Sequence, residues 1–366
     1  MKKYPILYKY TSKKQVQQWQ VIVKDDHFYT EEGIKDGVIT KSKPTYCKPK
    51  NIGKSNESSA KEQALKEAEA KIKKKIDSGY NEVLSEDKKF FEPMSAFKIE
   101  NHKDLLFTVR TFIQPKLDGL RCINQNNTLK SRNGKDYLAC PHLYQNNVTL
   151  DGELYNHGLK DDFNKIVSLC KKQKPTEEEL EESKNIVQMW VYDLPKYSGV
   201  FSERYEALKL VLITIDMLPE FKLKFKLVPT YEVKSLKEIE KYHKKFLKEG
   251  FEGSIIRLDL GGYENKRSKQ LLKKKDWIDE EFKILEAVEG EGNRAGTIGK
   301  FILDLNDGTE RTFESNVKGD FDYLREVWKD RKKYIGKSAT VKYFNRTPAN
   351  KPRFSYIIKI SREDYE

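Results

Sequence analysis

From residue 280 onward the chain reads as five short runs in which apolar and polar residues alternate: EEFKILEAVEG, TIGKFILDLND, ERTFESN, SATVKYF and FSYIIKI. A period of two puts every second side chain on one face, the pattern of a strand half-buried against a core. One helical stretch, roughly 320–333, interrupts the runs and can be capped by Asp320. A sheet of short strands leaves unpaired edges unless it closes on itself. Residues 277–366 are therefore expected to form a small closed β-barrel with one helix.

The 366 residues allow two or three such units, at roughly 100–200 residues each. The first 80 residues read as another. YPILYKYTS, VQQWQVIVKDD and HFYTEEG alternate as strands do, and Gly33, Gly37 and KPKNIGKSN supply turns. A helix opens at the capping box Ser59-Ala-Lys-Glu62 and stops at Gly79. Leu65, Ala68, Ile72 and Ile76 share its apolar face, while Lys61, Lys66, Lys71, Lys73, Lys74 and Lys75 crowd the rest. Residues 81–95 are polar, as a linker would be. Residues 96–276 mix β-rich runs with helices, an α+β pattern. Ser202 can cap the helix through ERYEALKLVLITIDM, and Ser235-Leu-Lys-Glu238 is a second capping box, for a helix ending at Gly250.

The net charge of +13 points to a polyanionic partner. Residues 1–90 hold 20 Lys and no Arg against 13 Asp plus Glu. Charge alone does not separate DNA from RNA or an anionic membrane, and a lysine-rich composition can also reflect an AT-rich genome. No run approaches the roughly 20 apolar residues of a membrane span, and no apolar stretch follows the first lysines as in a secretory signal. Cys47, Cys122, Cys140 and Cys170 lie far apart without a Cys-x-x-Cys pair, which favours free thiols in a reducing compartment over zinc or disulfides.

Chemistry concentrates in an ordered series. Gln114-Pro-Lys-Leu-Asp-Gly-Leu-Arg121 offers a lysine, a carboxylate and a guanidinium around a glycine turn. A lysine that attacks phosphorus must be partly neutral, so burial or nearby cations should lower its pKa. Alone, such a turn recurs by chance on surfaces. Ser131-Arg-Asn-Gly134, Leu150-Asp-Gly-Glu-Leu-Tyr155, Trp190-Val-Tyr-Asp-Leu194, Phe251-Glu-Gly-Ser-Ile-Ile-Arg257 and Leu271-Leu-Lys-Lys-Lys275 follow in order.

This set resembles the nucleotidyltransferase motifs of the ATP-dependent DNA ligases, whose superfamily also includes RNA ligases and mRNA capping enzymes. The resemblance spans roughly residues 95–276, and the barrel is similar to an OB fold. It implies a multidomain α+β protein: a small α/β N-terminal domain over 1–85, an adenylation domain of antiparallel sheets with helices over 90–276, and an OB-fold barrel over 277–366. The implied activity seals 3′-OH/5′-phosphate nicks in double-stranded DNA through a lysyl-AMP and a DNA-adenylate, in replication, repair or recombination. ATP would be the AMP donor and Mg²⁺ or Mn²⁺ the metal, in a monomer acting inside the cell, with a phage or virus as a possible source.

Residue by residue, the resemblance makes Lys116 the nucleophile and places Gln114 against adenine. Asp118 would lie beside the nicked end, and Arg121 and Arg132 would bind phosphate at the nick or on the nucleotide. Glu153 would hold the ribose and Tyr192 would stack on the base. Glu252 would bind metal, with Asp118 or Glu153 nearby. Lys273 and Lys275, two apart on a strand, can both face the α-phosphate, whereas Lys274 points away and is expected to be dispensable. Tyr192, Glu153 and the lysine run also admit plain structural readings: core aromatic, buried ion pair, solvated charge. Arg346, Lys351 and Arg353 are similar to a basic segment of ligase OB domains; they contact triphosphate or DNA, or are simply exposed. Asn51-Ile-Gly-Lys-Ser-Asn, Ala64, Ala68 and Gly79-Tyr80 are similar to the WGR domain of DNA-damage proteins, although the Trp-Gly-Arg itself is absent. An RNA ligase, a capping-type enzyme and a non-catalytic DNA-binding scaffold are the rival readings. Arg121 completing KLDGxR, with SRNG and EGSIIR, favours the DNA ligase.

Overall fold

The computed structural model describes residues 1–11, 13–84, 90–145 and 148–360. The chain divides into two compact units, Met1–Asp87 with Trp277–Glu366, and Lys88–Asp276.

In the N-terminal part of the first unit, β1 (Val16–Lys24) and β2 (His27–Ile34) pair antiparallel at the centre of a six-stranded sheet. Helix α1 (Ala60–Asp77) packs on it, and Trp19, Val21, Val23 and Phe28 meet Ala64 and Ala68 in the core. The capping box forms as expected, with Glu62 N–H donating to Ser59 Oγ at 3.3 Å and Ser59 N–H to Glu62 Oε2 at 2.8 Å. The buried face differs from the expected one. The small Ala64 and Ala68 make the close approach to the sheet, Leu65 and Ile72 pack at its margin, and Ile76 is exposed. The expected linker over 81–95 falls partly outside the described residues, and its last residue opens a strand.

The second unit holds, in chain order, β3 (Ser95–Lys98), β4 (Thr111–Lys116), β5 (Leu120–Gln125), β6 (Thr128–Ser131), β7 (Leu150–Tyr155) and β8 (Gln188–Asp193). Helix α2 (Phe201–Asp216), β9 (Phe225–Leu227), β10 (Tyr231–Val233), helix α3 (Leu236–Lys248), β11 (Gly253–Leu258) and β12 (Arg267–Lys274) follow. They build two five-stranded sheets, ordered β6-β5-β7-β8-β9 and β10-β4-β11-β12-β3. Leu154, Met189, Val191, Leu208 and Phe225 lie in the core of the first; Ile113, Ile256, Leu272 and Phe246 lie in that of the second.

Ser202 does not cap α2. The helix starts at Phe201, and Asp259, far along the chain, accepts from both Ser202 N at 2.9 Å and Ser202 Oγ at 2.6 Å. A carboxylate from another strand end thus satisfies an amide that the local hydroxyl was expected to serve. Ser235 does cap α3, accepting from Glu238 N at 3.2 Å, while Glu238 reaches back to Lys234 N at 2.7 Å.

A closed barrel is formed by β13 (Ile278–Glu289), β14 (Ile298–Asp304), β15 (Thr312–Val317), β16 (Ser338–Tyr343) and β17 (Tyr356–Ile360), in the order β13-β14-β15-β17-β16. Helix α4 (Phe321–Lys329), capped by Asp320 at 2.9 Å, contributes Leu324 and Val327 to a core with Phe282, Phe301 and Val341. Closure pairs every strand on both sides. No helix among the described residues is long and apolar enough to cross a membrane.

Candidate active site

Lys116 is the last residue of β4, and Gln114, two residues earlier, shares its face. Strand β11 runs antiparallel beside it, with Gly253 opposite Lys116 and Ile255 opposite Gln114. Glu252 N–H donates to Lys116 O at 2.9 Å, which fixes Glu252 next to the lysine. A Cβ on Gly253 would lie 2.4 Å from Lys274 O, so only glycine lets the three strands come together there. Lys275 follows the end of β12, and the buried Glu252 carboxylate accepts from both Lys116 Nζ and Lys275 Nζ.

Both sheets line one cleft. Gln114, Lys116, Arg257, Lys273 and Lys275 come from the β4–β11–β12 side; Arg121, Arg132, Glu153 and Tyr192 come from the other sheet. The cleft thus collects eight of the residues singled out in the sequence. Asp118 and Glu252 do not line it; they act on Lys116, Asp118 through its charge and Glu252 by contact. Space holds Gly119 to glycine at this turn. Its φ is not positive, but a Cβ would meet Leu154 O at 2.5 Å and Glu153 Cγ at 2.6 Å, so the loop could not lie on β7 with any other residue.

Burial lowers the Lys116 pKa below the ordinary lysine range; Glu153 and Asp118 oppose that shift and Arg121 adds to it. Lys273 is lowered too, first by burial and then by the charges of Lys116, Arg267, Lys98 and Arg132. Burial raises the Glu153 carboxyl against the pull of Lys116 and Arg121. The site is a cationic cleft in which the Lys116 and Lys273 amines both lie nearer neutrality than a surface lysine, an arrangement suited to nucleophilic attack on a phosphorus whose oxygens need positive charge around them.

Arg121 is held in place. Its Nε and Nη2 donate to the two oxygens of Asp151 at 2.6 Å each, and Nη2 donates to Met94 O at 3.0 Å. The Tyr263 hydroxyl donates to Asp151 Oδ2 at 2.6 Å. Tyr192 is buried and donates to Gly152 O at 3.1 Å and Glu153 Oε2 at 3.3 Å; the Arg121 and Arg257 guanidinium groups lie 4.8 and 5.3 Å from its ring centre. Arg132 is exposed on the loop after β6. Lys274 turns away, toward Glu240 at 3.3 Å and Asp276 at 3.7 Å. In the barrel, Arg346 is engaged by Glu280 at 2.7 Å and Asn350 O at 2.9 Å, while Lys351 is exposed.

Asp151, Asp193 and Arg257 each stand inside one of the motifs, but nothing in the local sequence gives them a role. Tyr263 and Arg204 have no sequence signal at all. No group of three or more His, Cys, Asp or Glu that could hold a metal occurs among the described residues. Magnesium ordinarily takes one or two carboxylates and completes its shell with substrate phosphates and water. Glu153 offers one carboxylate at the cleft wall, whereas both Glu252 oxygens accept from lysines.

The model of the ATP dependent DNA ligase domain matches residues 93–275. The DNA ligase of Haemophilus influenzae is 27% identical over 248 residues, covering 66% of this chain and 82% of that protein. The DNA ligase of Enterobacteria phage T6 is 26% identical over 290 residues, covering 62% of this chain and 58% of that protein. A solved structure from work on Lig E DNA ligases, described as binding DNA with a minimal scaffold, superposes with a TM-score of 0.63 at 21% identity, covering 74% of this chain and 100% of that one.

Proposed function

The chain belongs to the ATP-dependent DNA ligase family, and on that premise we propose that Lys116 is the residue that carries AMP while a nick is sealed. The Lys116 amine attacks the α-phosphorus of ATP, forming a phosphoramidate as pyrophosphate leaves. A 5′-phosphate at the nick then takes the AMP and frees the lysine. Attack by the 3′-hydroxyl joins the strands and releases AMP.

The observation that carries this reading is the position of Lys116: last on its strand, its amine lowered by burial, in a cleft shared with Lys273, Lys275, Arg121 and Arg132. Nucleotidyl transfer needs positive charge on the non-bridging oxygens more than covalent help, and these side chains supply it. Gln114 faces the base, Glu153 the ribose, and Tyr192 forms the aromatic wall of the nucleoside pocket. Lys273 and Lys275 bind the α-phosphate. Asp118 lies at the nicked end. Glu252, with Glu153 or Asp118, would hold Mg²⁺ or Mn²⁺, which neutralises phosphate charge when bound.

The lysine-rich N-terminal unit, read as WGR-like over 1–85, binds duplex phosphates beside the nick. The division into domains over 1–85, 90–276 and 277–366 belongs to the same reading, as does a monomer working inside a cell, where four buried thiols stay reduced.

The test is transfer of label from α-labelled ATP to the protein, beside Lys116→Ala, followed by a nicked DNA duplex and its RNA counterpart. Label that is lost in Lys116→Ala and discharged by nicked DNA supports the reading. Label surviving in Lys116→Ala would overturn the nucleophile, and discharge only by RNA would overturn the substrate.

A further inference from the structure

Gln114 is held at both ends of its amide. Arg257 Nε donates to Gln114 Oε1 at 3.0 Å, and Gln114 Nε2 donates to Thr230 Oγ1 at 2.8 Å. The orientation follows from chemistry: a guanidinium has donors and no acceptor, so the atom facing Arg257 must be the carbonyl oxygen. The Thr230 hydroxyl spends its proton on Val228 O at 3.2 Å, which leaves it an acceptor toward the amide NH₂. Arg257 is itself pinned, through Nη1 to Asp193 Oδ2 at 2.6 Å, and Arg204 holds the other Asp193 oxygen at 2.7 Å. Gln114, Arg257, Asp193 and Arg204 are all buried, and Gln114 and Arg257 both line the cleft.

A glutamine amide has two lone pairs and two N–H groups. With one of each committed, one acceptor and one donor remain, in a fixed order. Adenine offers a matching pair on either edge: the 6-amino donor beside an acceptor nitrogen, N1 or N7. Guanine carries an oxygen at position 6, so the fixed carbonyl would meet lone pairs instead of a proton. A freely flipping amide would evade this penalty, because its reversed form matches guanine O6 and N1–H.

We infer that Arg257 and Thr230, by preventing that flip, are the positioning residues that make Gln114 select ATP over GTP. The inference rests on the reading of this cleft as the nucleotide site. It predicts discrimination through an unpaired buried acceptor, the kind of mismatch that rejects a wrong substrate strongly.

Label transfer from α-labelled ATP and GTP tests it in the full chain. In the wild type, ATP should be preferred at least about a hundredfold. Arg257→Gln, which lets the amide reverse, should lower the ATP:GTP labelling ratio at least about tenfold, chiefly by raising labelling from GTP. Thr230→Val keeps the shape and removes one anchor; it should lower the ratio by at least about threefold and decides the matter if Arg257→Gln fails to fold. Gln114→Glu, an acceptor in any orientation, should keep the preference for ATP. A ratio unchanged in both Thr230→Val and any folded Arg257→Gln would overturn the inference. Absence of wild-type label, or label indifferent to Lys116→Ala, would instead overturn the nucleotide-site reading beneath it.

Discussion

Arg121 and Asp151 meet through two hydrogen bonds of 2.6 Å, with the Asp151 side chain wholly buried. Burial opposes charge on Arg121, yet Asp151 holds it firmly protonated. The pair therefore presents a guanidinium of fixed orientation to the cleft, with Tyr263 satisfying Asp151 from the side. Removing one partner of such a pair leaves the other as an uncompensated buried charge. Asp151→Ala should cost about 3–5 kcal/mol, read as an earlier urea transition of the full chain. An unshifted transition would mean that Arg121 finds another partner at no cost.

The lowered Lys116 pKa sets a pH dependence. Only the neutral amine attacks, so adenylation in a single turnover should rise with pH along a limb centred below the ordinary 10.5. Glu153 favours the ammonium form, so Glu153→Gln should move the limb to lower pH even if it also slows the plateau. A limb that stays put, or moves upward, contradicts the electrostatic account of Lys116.

Three consecutive lysines should separate sharply. Lys273 and Lys275 line the cleft, whereas Lys274 is paired with Glu240 and Asp276. Lys273→Ala and Lys275→Ala should each slow adenylation by about 10²–10³, the usual cost of losing one preorganised charge at a reacting centre. Lys274→Ala loses only solvated ion pairs and should change the rate less than about fivefold. Equal effects at all three positions would show that the run acts as a diffuse charge.

Asp193 bears on stability in acid. Burial would raise its carboxyl, but Arg257 and Arg204 outweigh that and hold it below the ordinary 3.8. A depressed folded-state pKa gives stability that is complete above the unfolded pKa and is lost as pH falls through the folded one. Asp193→Asn should therefore flatten the loss of stability below about pH 4 while lowering stability at neutral pH, both seen in urea melts across pH.

How much of this was legible depended on the range of each interaction. Lys116 and Gln114 were placed by the motif they stand in, while Lys273 and Lys275 could be placed on one face because strand periodicity is local. The Ser59 cap was readable for the same reason. The partner of Arg121 was not, since Asp151 lies thirty residues away and reaches it only through the β5–β7 register. Asp259 took over the start of α2 from still farther along the chain, against the local propensity of Ser202. The contact that holds Gly119 to glycine was not legible, because a sequence shows the glycine but not the strand that a Cβ would strike. Arg257, Thr230 and Gln114 converge from three strands or loops, and no spacing rule connects them.

The lysines of α1 differ in what they are free to do, and that makes the DNA-binding reading of the N-terminal unit testable. Lys75 is pinned between Glu32 at 3.2 Å and the Trp19 ring at 5.2 Å, so Lys75→Ala should act on packing. Lys66, Lys71, Lys73 and Lys74 are exposed. If they sit on duplex phosphates, replacing all four with Ala should weaken nick binding and flatten the plot of log affinity against log salt by roughly 0.9 for each phosphate no longer neutralised. Adenylation without DNA should stay at the wild-type rate, because the cleft lies in the other compact unit. An unchanged salt slope would leave the helix a solvated face and place the DNA-binding surface elsewhere.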